Sequence, residues 1–275
     1  MDYWVDSSFI FPGVDINGGI AISLWNKHVL YGKIEFFSAY KELHSILAKV
    51  KSKGERTFST IVGTRELYRL TDTFYKDNPN MEGRQSKGHK YSLGANIFNI
   101  FNDLFFDERP KDANEYIQVY GRYENQRCYK WFKASYITEA DNLEKFKVII
   151  SKADGAAGKI GNPIPARILG KIEIARPYVA YTDTFIGIGC FDTLEEVESC
   201  RKYIISKFAR AMLGTIKVTQ DNSKELWTNV PLQDFTSNSD IDWSKSILEI
   251  DQQLYAKYHL SDEEIAFIEK MIKSM

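Results

Sequence analysis

Two short stretches of the chain concentrate side chains whose natural partners are nucleobase edges and phosphate oxygens. The first is Arg84, Gln85, Lys87, His89, Lys90 and Tyr91. An arginine fork matches the paired acceptors on guanine's major-groove edge, a glutamine amide matches adenine, and lysines neutralise phosphates. The second is Ser151, Lys152, Gly155, Gly158 and Lys159, where small residues let backbone amides come close to an anion. Lys217, Thr219 and Gln220 form a smaller third set that reaches a duplex from the end of a helix, unless Lys217 simply caps that helix's last carbonyls. Tyr120, Arg122, Tyr129, Lys130, Trp131 and Lys133 interleave cations and rings in a ribbon that could stack on bases, although cross-strand aromatic packing accounts for it more simply.

Other chemistries lack their residues. A metal-dependent nuclease core needs Glu-x-Lys or Asp-x-Lys to hold a divalent ion and polarise water, and neither pattern occurs. His28, His44, His89 and His259 are far apart and lack metalloprotease spacing. Cys128, Cys190 and Cys200 are an odd set without Cys-x-x-Cys, which predicts neither a disulfide framework nor a cysteine zinc site. Gly155-Ala156-Ala157-Gly158-Lys159-Ile160 is too short for a phosphate-binding loop of nucleotide enzymes and lacks the magnesium-ligating hydroxyl. Gly187-Ile188-Gly189 reads as close backbone packing or a bulge inside a strand.

Charge is distributed unevenly behind a net value of -1. Between Lys145 and Arg176 stand Lys145, Lys147, Lys152, Lys159, Arg167, Lys171 and Arg176 against Asp154 and Glu173, whereas Asp234 to Met275 is strongly acidic. A basic middle suits phosphates and an acidic end suits water or a protein neighbour. With 275 residues, 44% of them hydrophobic, the chain is long enough for one or two packed domains. Its first residues lack a signal-peptide pattern and no apolar run approaches bilayer length, so a cytoplasmic protein without a membrane partner is expected.

The elements that must position these residues follow from periodicity and caps. Asn17-Gly18 predicts a hairpin between residues 11–16 and 20–25. Ser38 is placed to cap a helix bearing Leu43, Ile46, Leu47 and Val50 and ending before Gly54, and a shorter helix is predicted over 64–74. Residues 77–94 read as a long exposed loop. Strands are predicted at 116–122, 127–133, 148–150 and 185–191, then a helix from Thr193 to Leu213 with a Thr193/Glu196 capping box. Two C-terminal helices follow, the second capped by Ser261 with Glu264. No regular βαβ rhythm appears, which predicts an α+β fold of mixed helices and mainly antiparallel strands.

Several blocks resemble a known family in shared order. Asp2-Tyr3, Asp6-Ser7-Ser8, the run from Phe11 to Ile20 and Leu24-Trp25 are similar to the closing strands of the catalytic domain in restriction-modification adenine methyltransferases that carry their own recognition domain. The stretches 147–153, 208–210, 217–221, 230–235 and 254–269 resemble that family's target-recognition domain. The resemblance implies closing strands over 1–37, a DNA-binding target-recognition domain over 38–240 and a helical tail over 241–275. It also implies double-stranded DNA as partner and, outside this chain, a catalytic domain of the same parent, which is a methyltransferase alone or a methyltransferase and restriction enzyme in one. The family's Asn-Pro-Pro-Tyr or Asp-Pro-Pro-Tyr motif and its glycine-containing site for S-adenosylmethionine are absent; Asn78-Pro79-Asn80 and Asn162-Pro163-Ile164-Pro165 do not match. No catalytic residue or cofactor is therefore expected in this chain, and base flipping and methylation fall to the missing domain. The alternative is a protein-interaction or assembly module of a multidomain restriction enzyme, docking through Ile265, Ile268 and Ile272.

Overall fold

The computed structural model describes residues 4–5, 11–13, 20–21, 26–30, 38 and 40–275. Trp4–Val5 (β1) pairs antiparallel with Ile20–Ala21 (β2). Phe11, Pro12 and Gly13 form a bend and turn rather than the expected strand, and Asn17-Gly18 lies outside the described residues. Lys41–Ser52 (α1) starts three residues after Ser38, whose hydroxyl accepts from the Tyr40 amide at 3.2 Å instead of capping the helix. Its stripe of Leu43, Ile46, Leu47 and Val50 is buried as the spacing requires.

The predicted helix over 64–74 is a correction. Tyr68 and Leu70 are buried at alternate positions, and Arg69 and Leu70 bridge to Ser92 and Ile137, so residues 68–70 are extended. Helix begins only at Asp72–Asp77 (α2), and a further turn lies at Ile97–Ile100 (α3). Tyr116–Tyr123 (β3) and Gln126–Lys133 (β4) form the expected hairpin. Glu124 and Asn125 at its tip both have positive φ, 46° and 64°, the backbone of a tight turn that follows strand twist.

Phe146–Ser151 (β5) is the centre of the fold. It is flanked antiparallel by Ile172–Ala175 (β6) and Phe185–Phe191 (β8), while Val179–Tyr181 (β7) leaves to lie parallel to β3 in a sheet ordered β4-β3-β7. Alternate side chains of β5 point to opposite faces. Val148 and Ile150 enter one hydrophobic cluster and Ile149 enters the other. On β8, Ile186 and Ile188 join the first and Phe185 the second. A register shift between Phe146 and Val148 places an extra residue in β8 beside Gly189, whose φ is +78°; the glycine pair thus serves a bulge.

The second cluster gathers the residues between Tyr68 and Ile137 with β7. The first is built by α1, β5, β8 and the C-terminal helices. The long helix expected from Thr193 is two, Leu194–Ile205 (α4) and Lys207–Gly214 (α5), broken at Ser206 with ψ of 148°. Its apolar period runs unbroken because both pieces face the same core. Ser206 Oγ accepts from the Ala209 amide at 3.1 Å, and the Asp251 carboxylate accepts from the amides of Lys207 and Phe208 at 3.1 and 3.0 Å, satisfying the new helix start.

Asp251 belongs to Ile247–Lys257 (α6), which is followed by Asp262–Met271 (α7); both open on Ser-x-x-Glu capping boxes. Ile268 and Ile272 are buried in the first cluster, and Ile265 packs against it. Lys49 of α1 reaches Glu264 at 2.7 Å. The face proposed for docking is thus spent inside the molecule. The arrangement is α+β, with mainly antiparallel strands in small sheets.

Candidate nucleic-acid interface

The loop over 78–94 is anchored rather than free. Met81 and Leu93 are buried, Leu70 N donates to Tyr91 O at 2.8 Å and Asp183 N donates to Leu93 O at 2.9 Å. Tyr75, within α2, donates its hydroxyl to Lys90 O. Gln85 Nε2 donates to the same carbonyl at 2.9 Å. An amide spent in this way cannot pair an adenine edge without releasing the loop, so Gln85 is a brace. Lys90 is engaged too: its Nζ lies 2.5 Å from Glu82 and 4.8 Å from the Tyr75 ring centre. Tyr91 donates to Asp72 at 2.7 Å. Arg84 and Lys87 are exposed and have no side-chain partner among the described residues. Of the six residues chosen for their chemistry, these two project freely.

The second stretch divides in the same way. Ser151 is buried, with Oγ accepting from Arg127 at 2.8 Å and its carbonyl accepting from Asn222 at 2.9 Å. Lys152 is half-buried and pinned through its backbone to Thr184 and Asn222, leaving its ammonium without an ion pair among the described residues. Lys159 exchanges 2.9 Å backbone bonds with Asn162 while its side chain is likewise unpaired among the described residues. Gly158, with φ of +76°, has no room for a side chain, since a Cβ would lie 2.6 Å from Pro163.

Lys217 is a correction. It is 1% exposed, and its ammonium donates to Asp221 O at 3.0 Å, to Gln220 O at 3.5 Å and to Asn222 Oδ1. Burial pushes it down to about 8 from 10.5. It stitches the 217–222 turn and is withdrawn from phosphate. Gln220 stays exposed above Gly155, where a Cβ would meet its Oε1 at 3.1 Å, and Asp154 N donates to Gln220 O at 2.8 Å.

The basic middle is thinner than it reads. Lys147 is fully buried, its ammonium donating to the carbonyls of Asn142 and Lys145 at 2.5 and 3.1 Å, and burial lowers it to about 8. Lys145 pairs with Asp192 and Lys171 with Glu173. Lys152, Lys159, Arg167 and Arg176 remain unpaired among the described residues. Both lysines of the β3–β4 ribbon are likewise neutralised internally. Tyr120 is buried against Tyr129 and Phe185, Lys130 pairs with Asp107 at 2.7 Å, and Lys133 lies 3.3 Å from Asp77. Arg122 reaches Asn125 at 3.4 Å and Trp131 is half-buried beneath Arg109.

What the fold adds is convergence. Asp183, in the turn between β7 and β8, is raised to about 6, first by burial and then by Glu66, against the pull of Lys152, His89 and Arg69. Backbone bonds bring both stretches to this turn: Lys152 N donates to Thr184 O at 2.8 Å, and Asp183 N donates to Leu93 O, at the end of the loop that carries His89, at 2.9 Å. Ala153 bridges to Asp221, which holds Arg65 at 2.7 Å and so ties residues 65–66 to the same place. Asp183, Glu66 and Arg69 were missed in the sequence. A polar Thr182-Asp183-Thr184 turn between apolar strands was the available signal; the positive φ of Glu66, 55°, has none. An open depression of about 490 Å³ lies elsewhere, lined by Glu195, Asp240, Asp242, Trp243 and Gln253 among others, and none of the candidate DNA residues reaches it.

No model of a known protein family matches the chain, and no curated protein matches it. Among the described residues, no group of three or more His, Cys, Asp or Glu side chains is placed to hold a metal ion, and no helix is long and apolar enough to cross a membrane.

Proposed function

We propose that this chain is the duplex-reading part of a restriction-modification adenine methyltransferase, holding double-stranded DNA for base flipping by a catalytic domain outside these residues. The observation that supports it is the backbone bonding of both stretches to the Thr182–Thr184 turn, Lys152 N to Thr184 O at 2.8 Å and Asp183 N to Leu93 O at 2.9 Å, with Gln220 over Gly155 on the adjoining turn. The 78–94 loop carries Arg84 and Lys87, exposed and without a side-chain partner among the described residues, whose chemistry suits a groove. In this assignment Lys152 and Lys159 hold phosphates, Arg84 reads a base and Gln220 lies along the backbone. S-adenosylmethionine belongs to the catalytic domain, because this chain has neither its glycine turn nor the adenine-binding Asn-Pro-Pro-Tyr. A parent that acts on cellular DNA is a cytoplasmic protein.

The deciding experiment uses the full-length parent with Arg84→Ala and, separately, Lys152→Ala, mapping methylated sites across a genome. Loss of a bidentate base contact costs about 1–3 kcal/mol at one position of the site and relaxes preference there, whereas loss of a phosphate contact weakens all sequences alike. A relaxed motif for Arg84→Ala beside an intact motif for Lys152→Ala is expected. Identical motifs with equal loss of activity would move base reading away from the 83–91 loop.

A further inference from the structure

The loop after Lys159 presents an exposed apolar tip. Asn162, Pro163, Ile164 and Pro165 are all exposed, Ile164 at 55%. Around them the loop is built firmly. Lys159 and Asn162 close its neck with reciprocal backbone bonds of 2.9 Å, and Gly161 sits so near Tyr40 that a Cβ would lie 2.2 Å from its hydroxyl. Ala166 is buried and bonded both ways to the C-terminus, donating to Met271 O and accepting from Lys273 N at 2.9 Å. Arg210, itself buried, donates from Nη1 to Arg167 O at 2.9 Å. The two prolines restrict the tip further, so little conformational entropy remains to be lost on binding.

The surroundings of the tip are cationic. From Gly155 to Ile172 the chain has no acidic residue. Lys159 and Arg167 flank the tip in the chain and Lys273 is bonded to its base; none has a side-chain partner among the described residues. One isoleucine between prolines is far smaller than the roughly 1,000 Å² a stable protein interface needs. It matches the apolar wedges, isoleucine and proline among them, that pry apart stacked base pairs while cations hold the flanking phosphates.

We propose that Ile164 is a wedge inserted between base steps of duplex DNA, with Lys159, Arg167 and Lys273 on the adjacent phosphates. This rests on the duplex-binding role given above. Insertion unstacks the step and kinks the duplex, which fits a module that prepares DNA for extrusion of a base.

The test uses a pool of random-sequence 30-base-pair duplexes with 2-aminopurine replacing some of the adenine, titrated with the whole chain at low salt. The wild type is expected to raise 2-aminopurine emission about twofold or more as steps unstack. Ile164→Ala, exposed and therefore safe for folding, is expected to abolish that rise while weakening binding by less than about tenfold, and Ile164→Phe to retain it. Circular dichroism confirms that each variant is folded. Binding with salt-dependent affinity but no change in emission, or a rise that survives Ile164→Ala, overturns the wedge and leaves duplex binding standing. No binding to the duplex pool overturns both. Ile164-dependent binding to phosphatidylserine vesicles with none to the duplex assigns the tip to a membrane surface and also overturns the proposal.

Discussion

Asp183 carries the clearest signature of a residue held against its own preference. Burial and the neighbouring Glu66 raise its carboxyl to about 6 from 3.8. A carboxyl raised by folding contributes stability that is fully present below its unfolded value and is lost as pH rises through about 6. Asp183→Asn is therefore expected to stabilise the protein at pH 7.5 by about 1 kcal/mol after allowance for solvent screening, about 2–4 °C in Tm, with the gain vanishing as pH falls from 6 towards 4. Calorimetric melts across that range check it, and a gain that does not change with pH would remove ionisation as its cause. Lys217 makes the opposite case, a cation whose worth is internal. Lys217→Met strands acceptors of Gln220, Asp221 and Asn222 and is expected to cost about 1–3 kcal/mol in urea unfolding, whereas Lys152→Met stays within about 0.5 kcal/mol. In the sequence these lysines look alike. Only the packed turn distinguishes them, which is why Lys217, Ser151 and Gln85 read as ligands and turn out to be struts.

Elements were legible where a local rule acts alone. The 116–133 hairpin, the strand Phe185–Phe191, the Thr193 cap and the Ser261 cap each answer to turn or cap chemistry within a few residues. The break at Ser206 does not, because the acceptor that makes it possible, Asp251, lies 44 and 43 residues beyond the Lys207 and Phe208 amides it accepts from. A serine inside an apolar helical period carries no mark of that distant carboxylate. Ser206→Ala removes the nearer cap and is expected to cost about 1 kcal/mol, with loss of amide-exchange protection at Ala209 as its local sign. Protection that survives the substitution would show that Asp251 alone holds the start of α5. The extended run through Tyr68 and Leu70 escaped for a related reason: its pairing partners, Ser92 and Ile137, are remote and the bridges are isolated.

At the scale of the whole molecule, charge had to be counted after folding. A segment that reads as strongly basic keeps few cations for a partner, so duplex affinity is expected to be modest and sensitive to salt. If Lys152 and Lys159 each neutralise a phosphate, changing both to alanine lowers the slope of log affinity against log salt by about 1.8, at about 0.9 per contact. Fluorescence anisotropy at 50 to 200 mM salt, on the order of the range where such contacts tell, reads the slope directly; an unchanged value returns the 151–159 turn to ordinary surface. The α+β class was visible in the mixed periodicities, but the division into two cores on either side of β5 was not, since a buried central strand shows only a continuous apolar run.

That division has a mechanical consequence. α1 near the front of the described chain and α7 at its end pack in the same core, joined by Lys49 with Glu264 and by Tyr40 against Phe267, whose ring centres are 5.3 Å apart. The residues from Tyr68 to Ile137 form the other core as an excursion from between them. A force pulling Tyr40 away from Met275 therefore loads the α1–α7 contact first, and tension reaches the hairpin core only once the 57–62 segment, bridged to Pro231 and Ile188, is drawn from the first core. In an optical trap the two cores should yield in that order, the lobe that carries the 78–94 loop shielded until last.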